Sequence, residues 1–135
     1  MKLSDNFTLS EMISSRTAHE QNIHEQFAPS KEVQDNLKLL CEKVLQPLRI
    51  EYGLPITVNS GYRCERLNKA VNGSKNSDHL RGMAADITGK DVKMLYDLAI
   101  AMNLPFRQLI YYKSKNFVHI SYNKYDVKKQ AWINE

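Results

Sequence analysis

The chain has 135 residues, 42% of them hydrophobic and 25% charged, with a formal net charge of +4 and a pI of about 9.0. This is the length of one ordinary domain and a globular composition, which excludes a disordered segment and a fold too small to build its own core. The mild basic excess suits any polyanion, but no Lys/Arg block marks a nucleic-acid tail.

The opening stretch, MKLSDNFTLSEM, has no apolar run of the kind that forms a secretory signal, and no window is long and apolar enough to span a bilayer. The expectation is a protein made in the cytoplasm without a signal peptide, with no membrane partner. Thr8 and Glu11 form the pattern of a capping box, and Phe7 and Met12 stand as its hydrophobic staple. A short helix is therefore predicted through about Ala18. Residues 19–30, HEQNIHEQFAPS, are polar and unpatterned and read as a loop. Ser30 caps a longer helix, in which Val33, Leu37, Leu40, Cys41, Val44 and Leu48 recur at helical spacing. Pro47 predicts a kink or a terminal turn, and Gly53 a left-handed C′ residue.

Ile56 to Asn59 is a β-branched run, hence a strand, and SGYR turns out of it. Cys64 to Ser77 reads as loop with one helical turn around Leu67 to Val71. Ala84 to Thr88 is a second strand and Asp91 to Met102 a helix. Gln108 to Tyr112 and Phe117 to Tyr122 form a hairpin across KSKN. The order predicts an α+β domain over residues 1–135, with helices packed on a small, largely antiparallel sheet. Cys41 and Cys64 read as two free thiols.

Strand alternation sorts the polar residues. Phe117, His119 and Ser121 share one face of the last strand, while Val118 and Ile120 take the other. Ala84 and Asp86 share a face opposite Ala85 and Ile87. With Val118, Ile120 and Ile87 in the core, His119 and Asp86 fall on a cleft-facing side, and His79 sits in the loop leading to Asp86. Gly82 and two alanines leave room there. Two histidines and an aspartate, with a fourth position for water, form the donor set of a catalytic zinc site. His19 and His24 lie in polar surroundings without a partner pattern and receive no role.

The run SDHLRGMAAD, Ser77 to Asp86, is similar to the Ser-x-His-x-x-Gly-x-x-x-Asp signature of the D-Ala-D-Ala zinc peptidases. That family comprises D-alanyl-D-alanine carboxypeptidases and L-alanyl-D-glutamate endopeptidases, many of them phage endolysins. FTLSEM, LQPLR, VNSGYR, LNKAVNGSKNSDH, LPFRQLIYY and FVHISY resemble its small single-domain branch, so the likeness spans nearly the whole chain. The resemblance implies a hedgehog/D-Ala-D-Ala-peptidase-like fold and Zn2+ bound by His79, Asp86 and His119. It implies that Arg63 contacts the scissile carbonyl or a substrate carboxylate, and that Ser77 is a supporting or substrate-binding hydroxyl. A guanidinium fork suits either oxyanion or carboxylate.

In one place the chain departs from the pattern. The family usually carries an acid three positions before the last histidine, where it handles the proton of the attacking water. Here that catalytic position is Asn116, which can hydrogen-bond water but cannot take its proton. Loss of a general base costs about 10²–10⁴ in rate. Relatives commonly also have an acid in the stretch FRQLIYY, where this chain has Arg107 and Tyr112. The expected function is a zinc metallopeptidase acting on D-amino-acid-containing peptide stems of peptidoglycan, at the cell wall or in a phage virion. The alternative is an impaired protein of the same fold, a virion structural or wall-binding module whose partners are other virion proteins. A nucleic-acid partner finds no support, since no strand interleaves aromatic and basic residues.

Overall fold

Hydrophobic periodicity and cap chemistry account for most of the elements in the computed structural model, which describes residues 1–135. In chain order they are β1 (Lys2–Ser4), β2 (Phe7–Thr8), α1 (Leu9–Ile13), α2 (Arg16–Glu20), α3 (Lys31–Leu40), α4 (Gln46–Tyr52), β3 (Thr57–Ser60), α5 (Glu65–Ala70), β4 (Ala84–Thr88), α6 (Val92–Ala101), β5 (Gln108–Tyr112), β6 (Phe117–Ser121) and β7 (Gln130–Asn134). Strands β1 and β2 form a small antiparallel ribbon. The main sheet has the order β3-β4-β6-β5-β7, antiparallel except for the β5–β7 pair. This is the expected α+β arrangement of helices and a largely antiparallel sheet.

The capping box forms as predicted: Glu11 N–H donates to Thr8 Oγ1, and Thr8 N–H to a Glu11 carboxylate oxygen. The helix it starts is shorter than expected. It stops at Ile13, and Ser15 caps a separate α2 by accepting from Ala18 N–H. The long helix continues through Pro47 without a break. Residues Cys41–Leu45 form a π-turn in which Gln46 N–H reaches the Cys41 carbonyl. The wider turn accommodates a proline that has no N–H to give the ladder. Gly53 closes α4 in the left-handed conformation, as predicted.

One face of the sheet carries the core. Ala85, Ile87, Val118, Ile120, Leu109 and Tyr111 pack with Leu37, Leu40, Val44, Leu48, Leu95 and Ala99 from the helices. Cys41 lies in that core, and burial, aided by Glu11 and Glu42, pushes its thiol up to about 12. Both cysteines are free and buried, so neither is a ready nucleophile. The opposite face of the sheet stays open and carries Asp86 and His119.

Residues 19–30 are more ordered than their polarity suggests. Ile23 and Gln26 are buried, and His24–Phe27 is a 3-10 turn. The Gln26 amide donates to the carbonyls of Ile13 and Tyr62, both at 2.8 Å, and accepts from Cys64 N–H at 2.9 Å. This side chain therefore pins the SGYRC turn to α1. Gly61 of that turn packs so close to the Met12 carbonyl that a Cβ would collide with it. A leucine in place of Gln26 would orphan three buried backbone groups, each worth ~1–3 kcal/mol. Gln26→Leu is expected to lower unfolding free energy by about 2–5 kcal/mol in a denaturant titration; a loss under ~0.5 kcal/mol would mean the turn is held by other contacts.

Candidate metal centre

Antiparallel pairing places Asp86 of β4 directly opposite His119 of β6. His79 arrives from the other side, on the 3-10 turn Asp78–Arg81. Ser77 caps that turn, its Oγ accepting from His79 N–H at 3.1 Å. Gly82 ends it with a φ of 72°, and a Cβ there would meet the Val33 carbonyl at 2.8 Å. Only glycine meets both demands, the left-handed turn and the close approach of α3. Ala84 and Ala85 are fully buried just beyond, so the chain passes tightly from the turn into β4.

The three ligand atoms lie within 4.8 Å of one another. His79 Nε2 is 3.3 Å and His119 Nδ1 3.0 Å from the same oxygen, Asp86 Oδ1. His79 Nδ1 lies 2.6 Å from the Gly61 carbonyl. A carbonyl only accepts, so Nδ1 carries a proton and Nε2 is the nitrogen turned toward Asp86. A neutral ring would then aim a lone pair at a carboxylate oxygen. That contact is attractive only with a cation, a proton or a metal ion, between the two atoms. Two ligands about 2.0–2.1 Å from a tetrahedral zinc lie ~3.3–3.4 Å apart, close to the His79–Asp86 spacing found here. The donor set therefore fits zinc in chemistry and in separation. The Gly61 carbonyl is the outer partner that fixes the His79 tautomer.

Burial by itself raises the Asp86 carboxyl. The close approach of the His119 and His79 ring nitrogens, each with a proton or cation between it and the carboxylate, outweighs it and holds the group well below the usual carboxylate range. Asp86 is thus an anion ready to ligate. His79 is only 3% exposed, whereas Asp86 and His119 are 18% and 14% exposed, so the cluster is anchored on one side and open on the other. It opens into a cleft of about 570 Å³ lined by, among others, Arg63, Asp78, Arg107, Tyr112 and Lys115.

Arg63 lies at this cleft, and it is less solvated than a turn position suggests. Its backbone N–H donates to the His79 carbonyl at 3.0 Å, and its guanidinium reaches Ser77 Oγ at 3.3 Å. Its Nε–H is buried without an acceptor in the protein. Desolvation lowers its pKa and the nearby Asp86 opposes that. Ser77 thus serves the turn and the arginine together.

Asn116 is placed differently from what the family spacing implied. It occupies a left-handed position, φ 58°, in the β5–β6 turn, and its carbonyl accepts from Thr88 Oγ1. It is exposed and does not line the cleft. Asparagine tolerates that backbone conformation better than most residues, and this is the role the structure gives it. Tyr112, by contrast, lines the cleft with its ring stacked on Phe117 at 4.7 Å. Arg107 also lines it, paired to Asp78 Oδ2 at 2.8 Å and Asp126 Oδ2 at 2.9 Å. Asp78, the carboxylate adjacent to His79, has its other oxygen on Arg81. Strand alternation alone could have assigned Tyr112 to the His119 face; the ion pairs of Arg107 had no signal in the sequence.

A half-buried His–Asp–His cluster beneath an open polar cleft is the arrangement of a metallopeptidase centre. The family model described as Peptidase M15 matches residues 5–121, and the chain belongs to that family. No curated protein matches the chain. No helix is long and apolar enough to cross a membrane.

If His79, Asp86 and His119 hold the metal, the purified protein binds about one zinc per chain. His79→Ala and His119→Ala are each expected to abolish stoichiometric zinc by elemental analysis while leaving the far-UV spectrum of the fold. Undiminished zinc in either variant would remove that residue from the ligand set.

Proposed function

We propose that this protein is a zinc-dependent peptidase that cleaves D-amino-acid-containing stem peptides of bacterial peptidoglycan, acting at the cell wall as a phage-type lytic enzyme or virion component. The observation that carries the reading is the His79–Asp86–His119 cluster at the base of a cleft that also presents Arg63, Arg107 and Lys115. A cleft with three cationic side chains suits a peptide that bears free carboxylates.

When bound, zinc polarises the scissile carbonyl and brings the pKa of a water toward ~7. Arg63 supplies a fixed donor fork beside it. Two links, Arg63 N–H to the His79 carbonyl and His79 Nδ1–H to the Gly61 carbonyl, make the arginine and the ligand one unit. The unpaired Nε–H of Arg63 is a donor that a substrate oxygen would satisfy. Arg107 is held by two carboxylates and so presents its remaining donors from a fixed position.

Proton handling differs from the acid-based scheme. Asp86 is committed to the histidines and both oxygens of Asp78 are engaged by arginines. Tyr112 is the further proton-bearing group on the cleft face. Burial, and then the charge of Asp86, raise its pKa. Its phenol O–H is a donor for a developing oxyanion.

The test is turnover of purified stem peptides by the zinc-loaded protein. Tyr112→Phe is expected to reduce kcat by about 10²–10³, the usual cost of one oxyanion donor, with zinc content unchanged. Asn116→Asp, placed outside the cleft, is expected to leave kcat near the wild-type value. A rise toward the ~10²–10⁴ of a recovered general base would return the catalytic role to position 116. The absence of any free carboxylate in the cleft favours a second reading, a wall-binding or virion module that retains zinc without hydrolysis. Zinc and stem-peptide binding with no turnover in either protein would select it.

A further inference from the structure

The register of the main sheet draws a straight row across its open face. Asp86 pairs with His119, His119 with Ile110, and Ile110 with Trp132. Residues paired this way project to the same side. Trp132 of β7 therefore stands on the face of the metal cluster, two strands from His119 and three from Asp86. At about 4.7–4.9 Å per strand those steps amount to ~10 Å and ~14 Å. Trp132 is 42% exposed. Next to this row lies Asn134–Tyr112–Phe117, in which Tyr112 and Phe117 are stacked. Beside the cleft, the same sheet face thus carries a shelf of aromatic side chains as far as β7. Strand β7 begins at Gln130, beyond residue 121 where the family match ends, so membership of the family does not assign the shelf.

We propose that Trp132 is a subsite for an amino-sugar ring of the peptidoglycan glycan strand, a reading that rests on the stem-peptide function proposed above. A pyranose ring has one face of C–H groups and a rim of hydroxyl and acetamido groups. An exposed indole offers an apolar plane to the first. Gln108, Gln130 and Asn134, on the same face of β5 and β7, offer neutral amides that donate and accept to the second. No charged side chain stands at Gln130, Trp132 or Asn134 to select an ion instead. The spacing also suits the polymer. An extended peptide covers at most ~3.3–3.6 Å per residue, so three or four units span the ~10–14 Å from the shelf to the cluster. A stem peptide joined to a sugar on Trp132 would lay a bond about three or four units from the sugar over the metal centre.

Trp132 is the only tryptophan of the chain, so intrinsic fluorescence reads this position directly. The zinc-loaded protein is titrated with the N-acetylglucosamine tetramer, and binding is measured in parallel by calorimetry. The expected result is a saturable change of emission, with calorimetric affinity about tenfold weaker in Trp132→Ala and largely kept in Trp132→Phe. A glycan-free stem peptide is expected to leave the emission unmoved. No saturable signal at millimolar tetramer, or equal affinity in Trp132→Ala, would overturn the subsite. A response to stem peptide but not to tetramer would also overturn it, since the shelf would then hold peptide. Because the readout is binding, a protein without hydrolytic activity would sink the peptidase reading and leave this titration decisive on its own.

Discussion

The contact between one carboxylate oxygen and two imidazoles governs the architecture. Asp86 Oδ1 lies within 3.3 Å of a ring nitrogen of both His79 and His119. A half-buried anion in that setting needs a compensating cation, a proton or a metal ion, and the fold directs imidazole nitrogens at it from two separate elements. Several otherwise unrelated features follow. The turn before β4 must be tight, which requires Gly82. The strand must enter flat against its neighbours, which the two buried alanines permit. The Gly61 carbonyl must meet His79 Nδ1, which ties the SGYRC turn to the cluster.

That turn is where structure and chemistry are joined. Gln26 holds it from beneath with three hydrogen bonds, and Tyr62 N–H donates to the Met12 carbonyl. Arg63 then emerges at the cleft in a defined place, part of its guanidinium stripped of water. A charged group held that way keeps one buried donor, Nε–H, without an acceptor in the protein. In the proposed function this rigidity matters, because the donor fork of arginine is useful only when it cannot swing away.

The cleft carries more cationic side chains than free carboxylates. Arg107 engages Asp78 and Asp126, and so links the turn bearing His79 to the start of β5 and to the segment after β6. Tyr112 takes a cleft-facing place in β5. In the proposed function this lining captures substrate by charge and donates a proton from the Tyr112 phenol.

Much of this was legible in the sequence because it is local. The capping box of α1, the heptad-like spacing of α3, the left-handed Gly53 and the alternation of β4 and β6 are each set by neighbours a few residues apart. Alternation, with an apolar side to bury, sufficed to put Asp86 and His119 on one face, and the spaced run from Ser77 to Asp86 added His79. What tertiary structure decided depends on groups far apart in the chain. Gln26 looks like a loop residue until three backbone groups from α1 and the SGYRC turn converge on it. Pro47 reads as a kink until a π-turn absorbs it. Asn116 has the spacing of a catalytic residue, yet its backbone is drawn into a left-handed turn and its carbonyl to Thr88. Strand β7, short and exposed on both faces, has no hydrophobic alternation to announce it. It exists because β5 offers an unpaired edge, and only that pairing carries Trp132 onto the face of the His–Asp–His cluster.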